Sequence, residues 1–85
     1  MTELKKYQVK YEDNVECGEC IDTYNSAEKA EKFIEEQLEG IKKYIKDYDY
    51  DYADFPNDYG NMTTEIWCKD SDYYARWIRM WEREE

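Results

Sequence analysis

Cys17-Gly18-Glu19-Cys20 is the stretch of this chain whose residue types and spacing come nearest to known chemistry. Two thiols separated by two residues are half of a zinc site, or a redox pair. Cys68 would supply a third thiolate, but the chain has no histidine, so a fourth ligand would have to be a carboxylate. In an ordinary strand Cys17 and Cys20 also point to opposite faces. The expectation is therefore three free, partly buried cysteines acting as small apolar residues, with no metal and no cofactor. An odd cysteine count fits a reducing compartment better than a disulfide framework.

Asp47, Asp49, Asp51 and Asp58 stand at positions 1, 3, 5 and 12 of a calcium-loop pattern. Position 6 is Tyr52 where that loop needs glycine, and position 12 is Asp58 where it needs a bidentate glutamate. Without histidine the chain also lacks the usual general base and nucleophile activator near neutral pH. No catalytic role is assigned to any residue, and the chain is read as a non-enzyme.

The charge pattern carries more information. Net charge is −10, from 22 acidic and 12 basic residues. Between Lys10 and Lys29 there is no basic residue, against Glu12, Asp13, Glu16, Glu19, Asp22 and Glu28. Between Lys46 and Lys69 there is again none, against Asp47, Asp49, Asp51, Asp54, Asp58 and Glu65. Such a field disfavours direct contact with nucleic acid or an anionic membrane and favours basic partners. Read as an extended segment, Asp47, Asp49 and Asp51 form a row of charges about 6.6 Å apart, with Tyr48, Tyr50 and Tyr52 facing the other way. DNA presents a phosphate about every 3.4 Å per strand, so one row has about half that density. Glu35 and Glu39 of the neighbouring helix would supply a second row. The contact surface expected from this pattern is Asp49, Tyr50, Asp51, Tyr52 and Asp54, with Glu35 and Glu39.

These residues need elements to position them. Ala27, Ala30, Phe33, Ile34, Leu38, Ile41, Tyr44, Ile45 and Tyr48 fall at helical spacing and predict a helix over about Ser26 to Lys46. Asn25 or Ser26 is its N-cap, and Lys42, Lys43 and Lys46 complement the dipole at its C-terminal end. Gly40 within it suggests the close approach of another backbone. Residues 4–11 read as a strand with Tyr7, Val9 and Tyr11 on one face, followed by a tight turn at Glu12-Asp13-Asn14. A second strand runs from about Val15 to Thr23, with a bulge near Gly18. Pro56, Asn57 and Gly60 make the second half of the acidic run a loop. Met62 to Lys69 is a third strand. Tyr73 to Glu82 fits either a helix or a strand, and its aromatics and the short turn before it favour a strand.

The fold expected is α+β: one domain over residues 1–85, a ββαββ antiparallel sheet with one long helix on one face. At 18% aromatic the chain has enough apolar area to fold despite 40% charged residues. No apolar run approaches the length of a membrane span. The last hairpin would turn Trp67, Tyr74, Arg76 and Ile78 outward, with Trp67 opposite Arg76 as a cation–π pair. Aromatics and arginine are enriched in interface hot spots, so this face is a candidate for homodimer formation.

The basic-free runs 11–28 and 47–68, above all Asp47 to Asp58, resemble the small acidic proteins with which phages and mobile elements block host defence. Anti-CRISPR proteins and other DNA mimics are the best known of these. The likeness is of type and covers the whole chain. It implies a basic nucleic-acid-binding partner, a CRISPR effector among the candidates, and an inhibitor acting in the cytoplasm of a prokaryotic host. The alternative is a small acidic accessory or structural protein acting as a homodimer without enzymatic activity.

Overall fold

The computed structural model describes residues 6–15 and 18–83. Its elements are β1 (Tyr7–Asp13), β2 (Cys20–Tyr24), α1 (Ala27–Tyr44), β3 (Tyr50–Pro56), β4 (Met62–Cys68) and β5 (Tyr74–Arg79). The start expected for the first strand at residues 4 and 5, and Cys17 of the cysteine pair, lie outside the described residues.

The five strands form one antiparallel sheet in the order β2-β1-β5-β4-β3. The α+β class with one helix on one face matches expectation, but the ββαββ order does not. The Asp/Tyr run supplies an additional strand, β3, which reaches Pro56 and so extends into the half of the run that was expected to be a loop. Its Tyr50, Tyr52 and Phe55 side chains suit a pleated surface, and it pairs along its whole length with β4. At the sheet's edge Pro56 withholds no hydrogen bond that a further strand would need. The turn that follows is organised by Asn57, whose Oδ1 accepts from Tyr59 N (2.9 Å) and Asn61 N (3.2 Å), while Gly60 takes φ 78°.

The first hairpin also differs. β1 runs to Asp13 and β2 begins only at Cys20, so a longer connection replaces the tight turn at 12–14, and Gly18 lies in it and not in a strand bulge. The last segment is a strand, as favoured above.

Helix α1 starts at Ser26, whose Oγ accepts from Lys29 N at 3.2 Å. It ends where Ile45 N donates to Ile41 O at 2.9 Å. Ala30, Ile34 and, just beyond the helix, Ile45 are buried, whereas Phe33, Leu38 and Ile41 are half-buried against the same core. Val9, Ile66, Ala75 and Trp77 form its fully buried centre. Tyr7 meets Trp81 edge to face (5.5 Å, 81°), Tyr11 leans on Trp77 (5.4 Å) and Tyr24 on Phe33 (5.5 Å). The indole Nε1 of Trp77 finds no partner among the described residues, and burial of the large ring offsets that loss.

The helix rests mainly on β1 and β2. The helix side of β4 (Thr64, Ile66 and Cys68) is nonetheless buried, and it is over β3, at Tyr52 and Asp54, that a groove opens. Gly40 has nothing within 4 Å of where a Cβ would sit, so no backbone approaches it.

Two stability outcomes follow. Ile34→Ala should lower the unfolding free energy by about 2–5 kcal/mol and half-buried Ile41→Ala by less. Gly40→Ala should raise it by about 0.5–1 kcal/mol, because the alanine meets open space and helix propensity alone decides. Urea unfolding of the three variants checks both.

Candidate functional site

Strand parity sorts the predicted contact residues into different places. The β3–β4 register pairs Tyr50 with Cys68, Tyr52 with Ile66 and Asp54 with Thr64, so these three side chains of β3 lie on the helix side. Asp51 pairs with Trp67 and lies on the opposite face, and Asp49 precedes the strand. The expected row Asp47-Asp49-Asp51 is therefore broken: Asp47 sits in the turn after the helix, and only residues from Tyr50 on are extended. Asp51 Oδ1 instead accepts from Tyr52 N at 2.9 Å, along the free edge. Glu35 joins Tyr52 and Asp54 in the groove, while Glu39 is exposed and pairs with Lys42 at 3.4 Å. Lys42 in turn stands 4.6 Å over the Tyr52 ring.

The groove holds a chain of polar contacts centred on Arg79. The alternation of β5 places this arginine on the same face as Ala75 and Trp77, which strand parity alone implies. Its Nε donates to Glu31 at 2.8 and 2.9 Å and its Nη1 to Thr64 Oγ1 at 2.9 Å and to the Met62 carbonyl at 3.2 Å. The Thr64 hydroxyl donates to Asp54. The arginine side chain is 12% exposed and that of Glu31 47%. One guanidinium thereby ties α1 to β5, β4 and, through Thr64, to β3. Two cavities of about 480 and 260 Å³ flank it, sharing Glu31, Asp54 and Arg79. Its donors are satisfied internally, so it serves as a structural pin.

The acid gathers elsewhere, at the end of the sheet where α1 finishes. Asp13 closes β1, Asn14 Nδ2 donates to the Asp72 carbonyl, and Tyr74 N donates to Asn14 Oδ1 at 3.1 Å. Lys69 N donates to the Asp49 carbonyl at 2.8 Å. These bonds bring Asp13, Asp47, Asp49, Asp70 and Asp72 to one end from three separate stretches. Tyr11 Oη donates to Asp13 at 2.6 Å, and burial first, then Asp13, hold the Tyr11 phenol well above its ordinary value. Tyr73 is raised too, by burial and then by Asp13. Asp13, Asp70 and Asp72 escaped sequence reading because only tertiary pairing brings them beside Asp47 and Asp49.

The uncovered face of the sheet carries the expected self-association residues. Trp67, Tyr74, Arg76 and Ile78 are all half-buried and share that face. The register differs from expectation: Trp67 faces Tyr74, and Arg76 faces Glu65. The turn is centred one residue earlier than a Ser71-Asp72 tip would be, with Cys68 N bonded to Tyr73 O at 3.1 Å. Arg76 consequently pairs with Glu65 at 2.5 Å and lies 5.7 Å from the Tyr74 ring, so the cation–π contact is with Tyr74 and not Trp67. Glu12 at 3.7 Å from Arg76, and Lys10 at 3.3 Å from Glu12, extend a stripe of alternating sign across three strands.

Among the described residues no three Cys, Asp or Glu side chains converge as a metal-ligand set. Cys68 is free and buried, as expected, but Cys20 is disulfide-bonded and exposed, which corrects the expectation of three free thiols. No helix among the described residues is long and apolar enough to cross a membrane.

Arg79→Lys should destabilise by about 1–3 kcal/mol, because an ammonium cannot serve Glu31, Thr64 and the Met62 carbonyl together. Glu31→Gln should cost less than about 1 kcal/mol, its carboxylate being half in water. Alkali gives an independent check. Tyr11, Tyr24 and Tyr73 all lie above the ordinary phenol value of 10.0 when folded, chiefly through burial. Unfolded phenols lose protons first, so stability should hold below about pH 10 and fall above it, read as the urea midpoint at increasing pH. Comparison of the chain with protein-family models, curated proteins and solved structures finds no match.

Proposed function

We propose that this protein is a non-catalytic acidic inhibitor that binds a basic, nucleic-acid-binding protein and competes with its nucleic acid. The observation that carries this reading is the gathering of Asp13, Asp47, Asp49, Asp70 and Asp72 at one end of the sheet. Elsewhere on the sheet the cations are neutralised from within, Lys10 by Glu12 and Glu19, Arg76 by Glu65, and Arg79 by Glu31. The field thus has a direction, and a net charge of −10 makes it strong. Such a surface steers a basic partner into rapid, salt-sensitive association. The resemblance to phage anti-CRISPR and other anti-defence proteins supplies the partner class, a CRISPR effector among the candidates, and the prokaryotic cytoplasm as the place of action. Cys20 is exposed on edge strand β2, so reduction of its bond there would leave the core packing in place.

A second reading rests on the uncovered sheet face. Trp67, Tyr74 and Ile78 around the alternating stripe Lys10-Glu12-Arg76-Glu65 offer a self-complementary surface for a homodimer. The dimer could accompany inhibition or stand alone in an accessory role.

Capture from a prokaryotic host lysate tests the first reading. The wild type should recover a nucleic-acid-binding protein that duplex DNA displaces, and replacing Asp47, Asp49, Asp70 and Asp72 by Asn should abolish recovery. Recovery of no such protein, or equal recovery by the variant at equal salt, sinks it. Light scattering tests the second: a mass near twice 10.5 kDa that Trp67→Lys returns to 10.5 kDa supports the dimer. A wild type that stays at 10.5 kDa at high concentration removes it.

A further inference from the structure

At the acidic end the turn after α1 and the β4–β5 turn enclose a pocket of about 410 Å³, lined by Val15, Tyr44, Asp47, Tyr48, Ser71 and Tyr73 among others. A neighbouring recess of about 270 Å³ shares Val15, Tyr44 and Tyr73 and adds Tyr11 and Asp13. We propose that this aromatic pocket receives an arginine side chain of the protein partner. The inference rests on the inhibitor reading above and names its point of contact.

Three independent features argue for that occupant. Large apolar side chains are left in water here: Tyr44 is 78% exposed, Val15 64% and Tyr48 56%. A patch of this kind at the mouth of a concavity marks a binding surface. No basic residue lines either recess, and the charged residues that do are Asp47 and Asp13. Lys46 and Lys69 are neighbours in sequence, yet neither is among the lining residues. Finally, α1 ends at this pocket, with Tyr44 and Ile45 among the lining residues, so the negative end of its dipole lies beside it.

Phenol faces, carboxylates and the negative end of the helix dipole all favour a cation and repel an anion. Between the two cationic side chains, the geometry favours arginine. A planar guanidinium stacks on tyrosine rings while its edge donates two parallel hydrogen bonds to a carboxylate. An ammonium is more strongly hydrated and would give up more water to enter. The volume exceeds that of one guanidinium, so there is room for the arginine stem and part of its neighbours.

Titration of the whole protein with hexa-arginine at low salt, followed by amide chemical shifts, tests the pocket directly. Shifts should centre on Val15, Tyr44, Asp47, Tyr48, Ser71 and Tyr73, and hexa-lysine should bind more weakly. Tyr44→Ser and Tyr48→Ser, both at exposed positions, should each weaken hexa-arginine by about fivefold with an unchanged circular dichroism spectrum. Several results overturn the proposal: no binding, shifts spread evenly over the acidic surface or centred on Glu35 and Asp54, equal affinity for hexa-lysine, or variants that bind as the wild type does. The host capture separates the two levels. A failed titration beside a successful capture removes this contact and leaves the inhibitor. A localised titration beside an empty capture keeps the pocket and removes the inhibitor.

Discussion

Val9 faces Arg79 and Tyr11 faces Trp77 across the β1–β5 ladder, so the first and last strands of the chain lie side by side at the middle of the sheet. Everything else is arranged by this long-range pairing. It joins the N-terminal hairpin to the C-terminal meander and makes one core from Val9, Ile66, Ala75 and Trp77. Because loop closure over most of the chain precedes any gain from these contacts, folding should be cooperative and non-local.

The same pairing decides which surfaces stay open. The helix that follows the first hairpin lies mainly over β1 and β2 and leaves the β3 edge of that face open at Tyr52 and Asp54. Arg79 fills the gap with a polar pin, bonded to Glu31, Thr64 and the Met62 carbonyl. A buried guanidinium is stable only if each donor is matched, and here α1 and β4 supply the partners. The groove is thus committed to architecture. At the acidic end and on the uncovered sheet face, by contrast, aromatic side chains remain partly in water.

The acidic end shows how a local charge pattern and a tertiary one differ. Along the chain the Asp/Tyr alternation suggests a ribbon with acid on one side and phenols on the other. In the fold, that ribbon is cut: strand geometry starts only at Tyr50, Asp51 turns to one face and Asp54 to the other. The ribbon's first members instead join Asp13 and the Asp70–Asp72 turn. The acid is concentrated through the sheet's connectivity, not through the run itself.

The helix with its cap region, the inward faces of β1 and β4, and the dominance of negative charge are legible in the residues alone. These depend on periodicity, side-chain chemistry and a count of charges, all of which are local. The fold, in contrast, makes Tyr50–Pro56 an edge strand, since a polar alternating run becomes a strand only when a neighbour such as β4 pairs with it. It also decided the β4–β5 register, where a one-residue shift of the turn's centre moved Arg76 from Trp67 to Glu65. The Arg79 pin and the pocket at the acidic end belong to the same class. Each is made of residues from at least three elements, and what brings them together is the β1–β5 pairing, which no local spacing encodes.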